Sequence, residues 1–161
     1  MTATAWLAAS RALVELWRND ATITAIDSCA VFSGPPINRD RLFTAVFVGW
    51  NGDESEDDAG DISQQPHDLG GGYRLDDNVG IWVSVFGFSG TSSEDGTEEA
   101  QDRAFAVLDA MQTALRQVQR LNDLSIAESA AYFENAQVMQ GQTKGGVYCR
   151  LSFRVAVESV I

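Results

Sequence analysis

The stretch from Val79 to Phe88, VGIWVSVFGF, is apolar on both of its alternating faces. Val79, Ile81, Val83 and Val85 fall on one face; Trp82, Phe86 and Phe88 fall on the other. Side chains along a strand alternate between two sides of a sheet. A strand apolar on both sides must therefore be covered on both. An amphipathic segment follows that can cover one face as a helix. What covers the other bears directly on function.

That segment starts near Asp95 or Thr97 and runs to about Leu121. Ala100, Ala104, Val107, Leu108, Met111, Leu115 and Val118 form its apolar stripe. Glu98, Glu99 and Asp102 sit in the first turns and Arg116 and Arg120 in the last, the order that the helix dipole favours. At ~1.5 Å per residue such a helix crosses a whole sheet. Residues 3–19 predict a second helix, with Trp6, Ala9, Leu13, Leu16 and Trp17 at helical spacing and Thr2 or Thr4 at its start. Trp6 and Trp17 are expected to pack on the sheet.

Strands are expected at 28–33, 42–50, 73–89, 130–140 and 147–158. Gly34-Pro35-Pro36 ends the first, because proline lacks an amide donor. The last alternates cleanly. Val147, Cys149, Leu151, Phe153, Val155 and Val157 point one way, and Tyr148, Arg150, Ser152, Arg154 and Glu158 the other. Arg150 and Arg154 are expected to meet acids on neighbouring strands. Gln142 to Gly146 supplies the turn of a terminal hairpin.

Residues 51–72 differ in character. Asp53, Glu54, Glu56, Asp57, Asp58 and Asp61 occur there without a Lys or Arg, and Gly70-Gly71-Gly72 closes the segment. Like charges and glycines predict an exposed, flexible acidic loop. Asp53, Ser55 and Asp57 have the spacing that opens a calcium loop, but Asp58 stands where such a loop needs glycine. His67 is the sole histidine and has no second imidazole for zinc and no elbow serine, so it is expected to be a loop residue. Residues 89–97 match no phosphate-binding fingerprint, and their own carboxylates repel phosphate. Asp76 and Asp77 look like a turn before the long strand. No catalytic, cofactor-binding or metal-ligating set emerges, and no cofactor is expected.

With 161 residues the chain is expected to be one domain, 1–161. Its net charge of −12 opposes binding to nucleic acid and to anionic membrane. Cys29 and Cys149 are expected to be buried thiols. No apolar run approaches the ~20 residues of a membrane span, and the first residues do not look like a signal peptide. A reducing cytoplasm is the expected setting.

The order of elements predicts an α+β fold: a mostly antiparallel sheet of about four or five strands with two helices packed on one face. The strands at 42–50 and 79–88 then want cover on the far face. A second subunit is one source of that cover. The candidate interface residues are Asp53, Glu54, Glu56, Asp57, Asp58 and Asp61 in the acidic segment, and Trp82 and Phe86 on the strand.

This arrangement resembles the tail terminator (tail completion) proteins of long-tailed bacteriophages. The resemblance spans nearly the whole chain. The Trp6–Trp17 helix leads to Val31-Phe32-Ser33-Gly34-Pro35-Pro36. Then come Val46-Phe47-Val48-Gly49-Trp50-Asn51-Gly52-Asp53, the acidic loop, the 79–89 strand, the long helix and the hairpin. The resemblance implies a structural virion protein that forms a ring, hexameric in the family. Such a ring caps the tail tube, ends its polymerisation and joins it to the head connector. The implied partners are copies of itself, the tail tube protein and head–tail connector proteins. DNA passes through the lumen without specific binding, which an acidic wall favours by repelling phosphate. The implied place is the virion tail or neck, after assembly in the host bacterial cytoplasm, and no membrane is involved. The alternatives are another neck or connector protein, or a small ligand-binding domain or enzyme. The last is opposed by the missing nucleophile–base pair, metal spacing and cofactor loop.

Overall fold

A computed structural model of the protein describes residues 4–36, 43–52, 58–66, 75–118, 130–143 and 145–160. Among these, three helices and six strands follow in the order α1 (Trp6–Arg18), α2 (Ala21–Ala25), β1 (Ala30–Ser33), β2 (Thr44–Val48), β3 (Gly60–Pro66), β4 (Leu75–Ser89), α3 (Glu94–Gln117), β5 (Ala130–Thr143) and β6 (Gly146–Val160). The strands make one sheet in the order β1-β2-β4-β6-β5, with β3 also paired to β4. Only the β1–β2 pair is parallel. The fold is α+β, as the sequence predicts, with α2 and β3 as additions.

The stretch Val79–Phe88 lies inside β4, which is paired with β6 from Asp76↔Val160 to Ser89↔Val147. The other edge of β4 is divided. β3 pairs with Leu75–Ile81, and β2 with Val83–Gly87. Trp82 is the joint: its N–H donates to Ala59 O (3.1 Å), and its carbonyl accepts from Gly49 N (2.7 Å) and Trp50 N (3.1 Å). From the helix side Trp6 closes the same gap, its Nε1 donating to Gly80 O at 3.0 Å.

The odd residues of β4 and β6 meet the helices. Val79, Ile81, Val83, Val85, Cys149, Leu151, Phe153, Val155 and Val157 are buried in one core with Ala9, Leu13 and Trp17 of α1 and Ala100, Ala104, Val107 and Met111 of α3. Trp17 Nε1 donates to Met111 O at 3.2 Å and joins the two helices. Helix α3 lies so close to the sheet that a Cβ on Gly87 would strike Ala100 O and Ala104 N (2.6 Å to the latter). Glycine is the side chain this approach permits. Ser93 caps α3 by accepting from Gly96 N, and Glu94 and Asp95 occupy its first turn. Both cysteines are free and buried, and burial pushes their thiols above the usual range.

Two expectations change. Asp77 is no turn residue. It lies in β4, fully buried, and its carboxylate accepts from Ala5 N (2.6 Å), Thr4 Oγ1 (3.0 Å) and Gln64 Nε2 (3.0 Å). It therefore places a negative charge at the start of α1, where the helix dipole favours it. Part of the stretch expected to be a loop, 60–66, is strand β3, although Asp61 to Pro66 are exposed. Asp53, Glu54, Glu56, Asp57, His67 and Gly70-Gly71-Gly72 lie outside the described residues, as do Thr2 and Arg120.

Candidate functional site

The even residues of β4 face away from the helices, and the sheet registers show what accompanies them. Phe88 stands opposite Tyr148, Phe86 opposite Arg150, Ser84 opposite Ser152 and Trp82 opposite Arg154. Across β2, Ala45 is opposite Phe86 and Phe47 opposite Ser84. On the hairpin, Met139 is opposite Arg150 and Glu134 opposite Arg154. Paired residues share a face of the sheet, so all these side chains lie on the helix-free side.

Part of this face is covered by the chain itself. Ala45, Phe47, Trp50 and Phe86 form a second, smaller apolar cluster. Trp50 stacks on Phe86 (6.0 Å, 10°), and Phe47 meets both rings edge-on (5.4 and 5.7 Å). Phe32 extends the row by stacking on Phe47 at 5.3 Å. Trp50 leaves the end of β2 and folds back because Gly49 takes a positive φ of 89° and Gly52 one of 82°. Ser84 Oγ donates to Trp50 O (2.9 Å) and Ser152 Oγ to Asn51 O (2.9 Å), fixing this return over the sheet.

Beside the cluster the cover stops. An open cavity of about 810 Å³ lies between the return at 50–52 and the hairpin. Trp50, Trp82, Phe86, Phe88, Tyr148 and Met139 supply its apolar lining, and Asp58 and Arg150 its charges. Trp82, Phe86 and Phe88 are half-buried, and Met139 is exposed. Of the candidate interface residues, the structure thus brings Trp82, Phe86 and Asp58 together here. Asp61 stands apart on β3, paired with Arg154.

The two arginines of this face sit in different surroundings. Arg154 lies between carboxylates, Asp61 on β3 and Glu134 on β5, as the expectation of acidic neighbours had it. Arg150 has neutral partners. Its Nη1 donates to Gly52 O and its Nη2 to Met139 Sδ, while its Nε is buried without a hydrogen-bond partner. Its stem passes over Gly52, where a Cβ would lie 2.8 Å from Cδ. Buried polar atoms are almost always satisfied, and this one is an exception among the described residues. The contrast between the arginines was not visible in the sequence, since both occupy the same polar alternation of β6.

Among the described residues, no group of three or more His, Cys, Asp or Glu is placed to hold a metal ion. No helix among them is long and apolar enough to cross a membrane.

No family model and no curated protein matches the chain. The fold is similar to that of a chain in a solved structure described as the virion of a native gene transfer agent particle. The TM-score is 0.62 and the identity 18%, with 98% of this chain and 100% of that chain covered. The likeness spans nearly all of this chain and the whole of that one, and it is a likeness of fold.

Proposed function

We propose that the chain is a structural subunit of a phage-like virion, and within it the tail terminator: a ring that caps the tail tube, ends its growth and forms the joint to the head connector. The observation that carries this reading is the helix-free face. Half-buried aromatic rings surround an open cavity with a neutral-partnered arginine in its wall. Rings and guanidinium groups are the chemistry of protein–protein hot spots. The fold likeness to a virion chain supports the same reading, and the element order that resembles tail terminators supports the finer role.

In such a ring the net charge of −12 suits a wall past which DNA slides. Asp53, Glu54, Glu56, Asp57 and Asp58 are the groups proposed to face the lumen or a neighbouring subunit. The partners in this reading are further copies of the chain, the tail tube protein and the connector.

Native mass spectrometry with negative-stain imaging, with and without tail tubes, tests the reading. Rings seated on tube ends are expected. A protein that stays monomeric and never associates with tubes sinks it. For the lumen, the five acids are replaced by Asn and Gln, and unchanged tail joining and DNA ejection would count against that placement.

A further inference from the structure

The geometry points to the outer ridge of α3 in a second copy, Asp102-Phe105-Asp109, as the occupant of the cavity on the helix-free face. This rests on the assembly reading above and names the contact it uses.

The cavity offers rings and a cation. Arg150 has no carboxylate partner among the described residues, and its buried Nε has no partner at all. Asp58 lines the same cavity, is exposed, and has a side chain that accepts from Gly60 N at 3.1 Å. A guanidinium held only by neutral groups gains most from a carboxylate brought to it in a desolvated setting. In a chain with 23 acidic and 11 basic residues, a second copy is rich in such groups.

The ridge offers the complement. Phe105 is 41% exposed. It lies on the side of α3 opposite Ala100, Ala104, Val107 and Met111, which pack on the sheet. Asp102 and Asp109 stand one turn before and after it, both exposed and without an ion-pair partner among the described residues. Among the other exposed rings, Tyr132 also has an acid beside it, Glu158, but that acid already accepts from the Tyr132 hydroxyl. Phe32 and Phe43 are stacked on Phe47 and Arg103, and Ile62 adjoins Asp61, which Arg154 holds. Leu7 has the basic Arg11 one turn away.

Ridge and cavity lie on opposite sides of one sheet. A copy that inserts its ridge into a neighbour therefore leaves its own cavity free for the next. Such a contact is head-to-tail, and it closes into a ring or runs on as a filament.

The test is a charge swap in the full chain, read by native mass spectrometry and by co-sedimentation with tail tubes. Arg150→Glu, and Asp102→Arg with Asp109→Arg, are each expected to weaken association by about tenfold or more. The triple variant is expected to recover most of it. Phe105→Ser, on an exposed helix surface, is expected to weaken association with an unchanged circular dichroism spectrum. If Arg150→Glu fails to fold, the two ridge variants decide alone. Ridge variants that assemble like wild type, or a folded triple variant that recovers nothing, overturn this contact and leave the assembly reading standing. A wild-type chain that never associates removes both.

Discussion

Arg154 on β6 reaches across β4, over Gly80, to hold Asp61 on β3, and its Nε lies 3.2 Å from Asp61 Oδ2. It also meets Glu134 on β5. One side chain thus ties two strands, β3 and β5, to its own on the helix-free face. β3 is otherwise exposed from Asp61 to Pro66, and its pairing with β4 is its main attachment.

Replacing Arg154 with Leu should loosen β3 before anything else. Asp61 is largely in solvent, so the global cost is expected to stay near 1 kcal/mol or below. Amide exchange in β3 should quicken well beyond that in the centre of β6. Uniform acceleration across the sheet would show that the arginine acts on the core and not on the strand.

Asp77 is expected to be far more sensitive. It is fully buried and accepts from the start of α1 and from β3. Asp77→Ala leaves the buried Ala5 N without its acceptor and opens a gap at the start of α1, at an expected cost of about 2–3 kcal/mol in urea unfolding. Asp77→Asn retains an acceptor and should lie between. A loss under about 0.5 kcal/mol for the alanine variant would contradict the clasp described here.

Trp82 and Phe86 should separate folding from association. Phe86 is packed against Phe47 and Trp50, so Phe86→Glu is expected to cost stability as well as assembly. Trp82 lies beside that cluster and faces the cavity, so Trp82→Glu should spare the melting temperature and reduce assembly on tail tubes. Equal destabilisation by both would make the face an ordinary part of the core.

The thiols give a pH signature. Burial holds Cys29 and Cys149 protonated beyond the usual thiol range. Each thiol therefore contributes stability that is full below the ordinary thiol value and is lost as pH rises through the raised one, because the unfolded chain ionises first. Unfolding free energy should start to fall as pH rises past the ordinary thiol value of about 8.5, and a Cys29→Ala, Cys149→Ala chain should fall less steeply. At pH 8 a thiol reagent should label the native protein slowly and the urea-unfolded protein at once. Fast native labelling of both residues would refute the burial.

What the sequence revealed depended on period. α1, α3, β4 and β6 carry long, regular apolar patterns, and the structure places them within a few residues of the expected bounds. α2 has five residues, too few for a stripe, and rests on Asp20 accepting from Thr22 N and Ile23 N. β3 has polar, exposed residues and becomes a strand because the lower edge of β4 is open to it, a fact of tertiary pairing. Asp77 reads as a turn residue in the sequence because the backbone N–H it accepts from lies 72 residues away. The two-sided apolar alternation of β4 itself requires cover on its far face. That Trp50 supplies part of it depends on the return at 49–52, where two glycines reverse the chain. The candidate interface residues Asp53, Glu54, Glu56 and Asp57 lie outside the described residues.

The divided edge of β4 has a mechanical meaning. β2 is rooted in both apolar clusters, whereas β3 is exposed from Asp61 to Pro66 and is held chiefly by its ladder to β4, with Arg154 of β6 on Asp61. Peeling β3 away takes one bond from the Asp77 clasp but leaves its bonds to Thr4 and Ala5 and the helix-backed core in place, so the free energy of that local opening lies below that of unfolding. The flank that carries Asp61 can yield to a neighbour's shape while the helix-backed half keeps its own. One strand thus serves a stiff half and a compliant half, and Trp82 is the boundary between them.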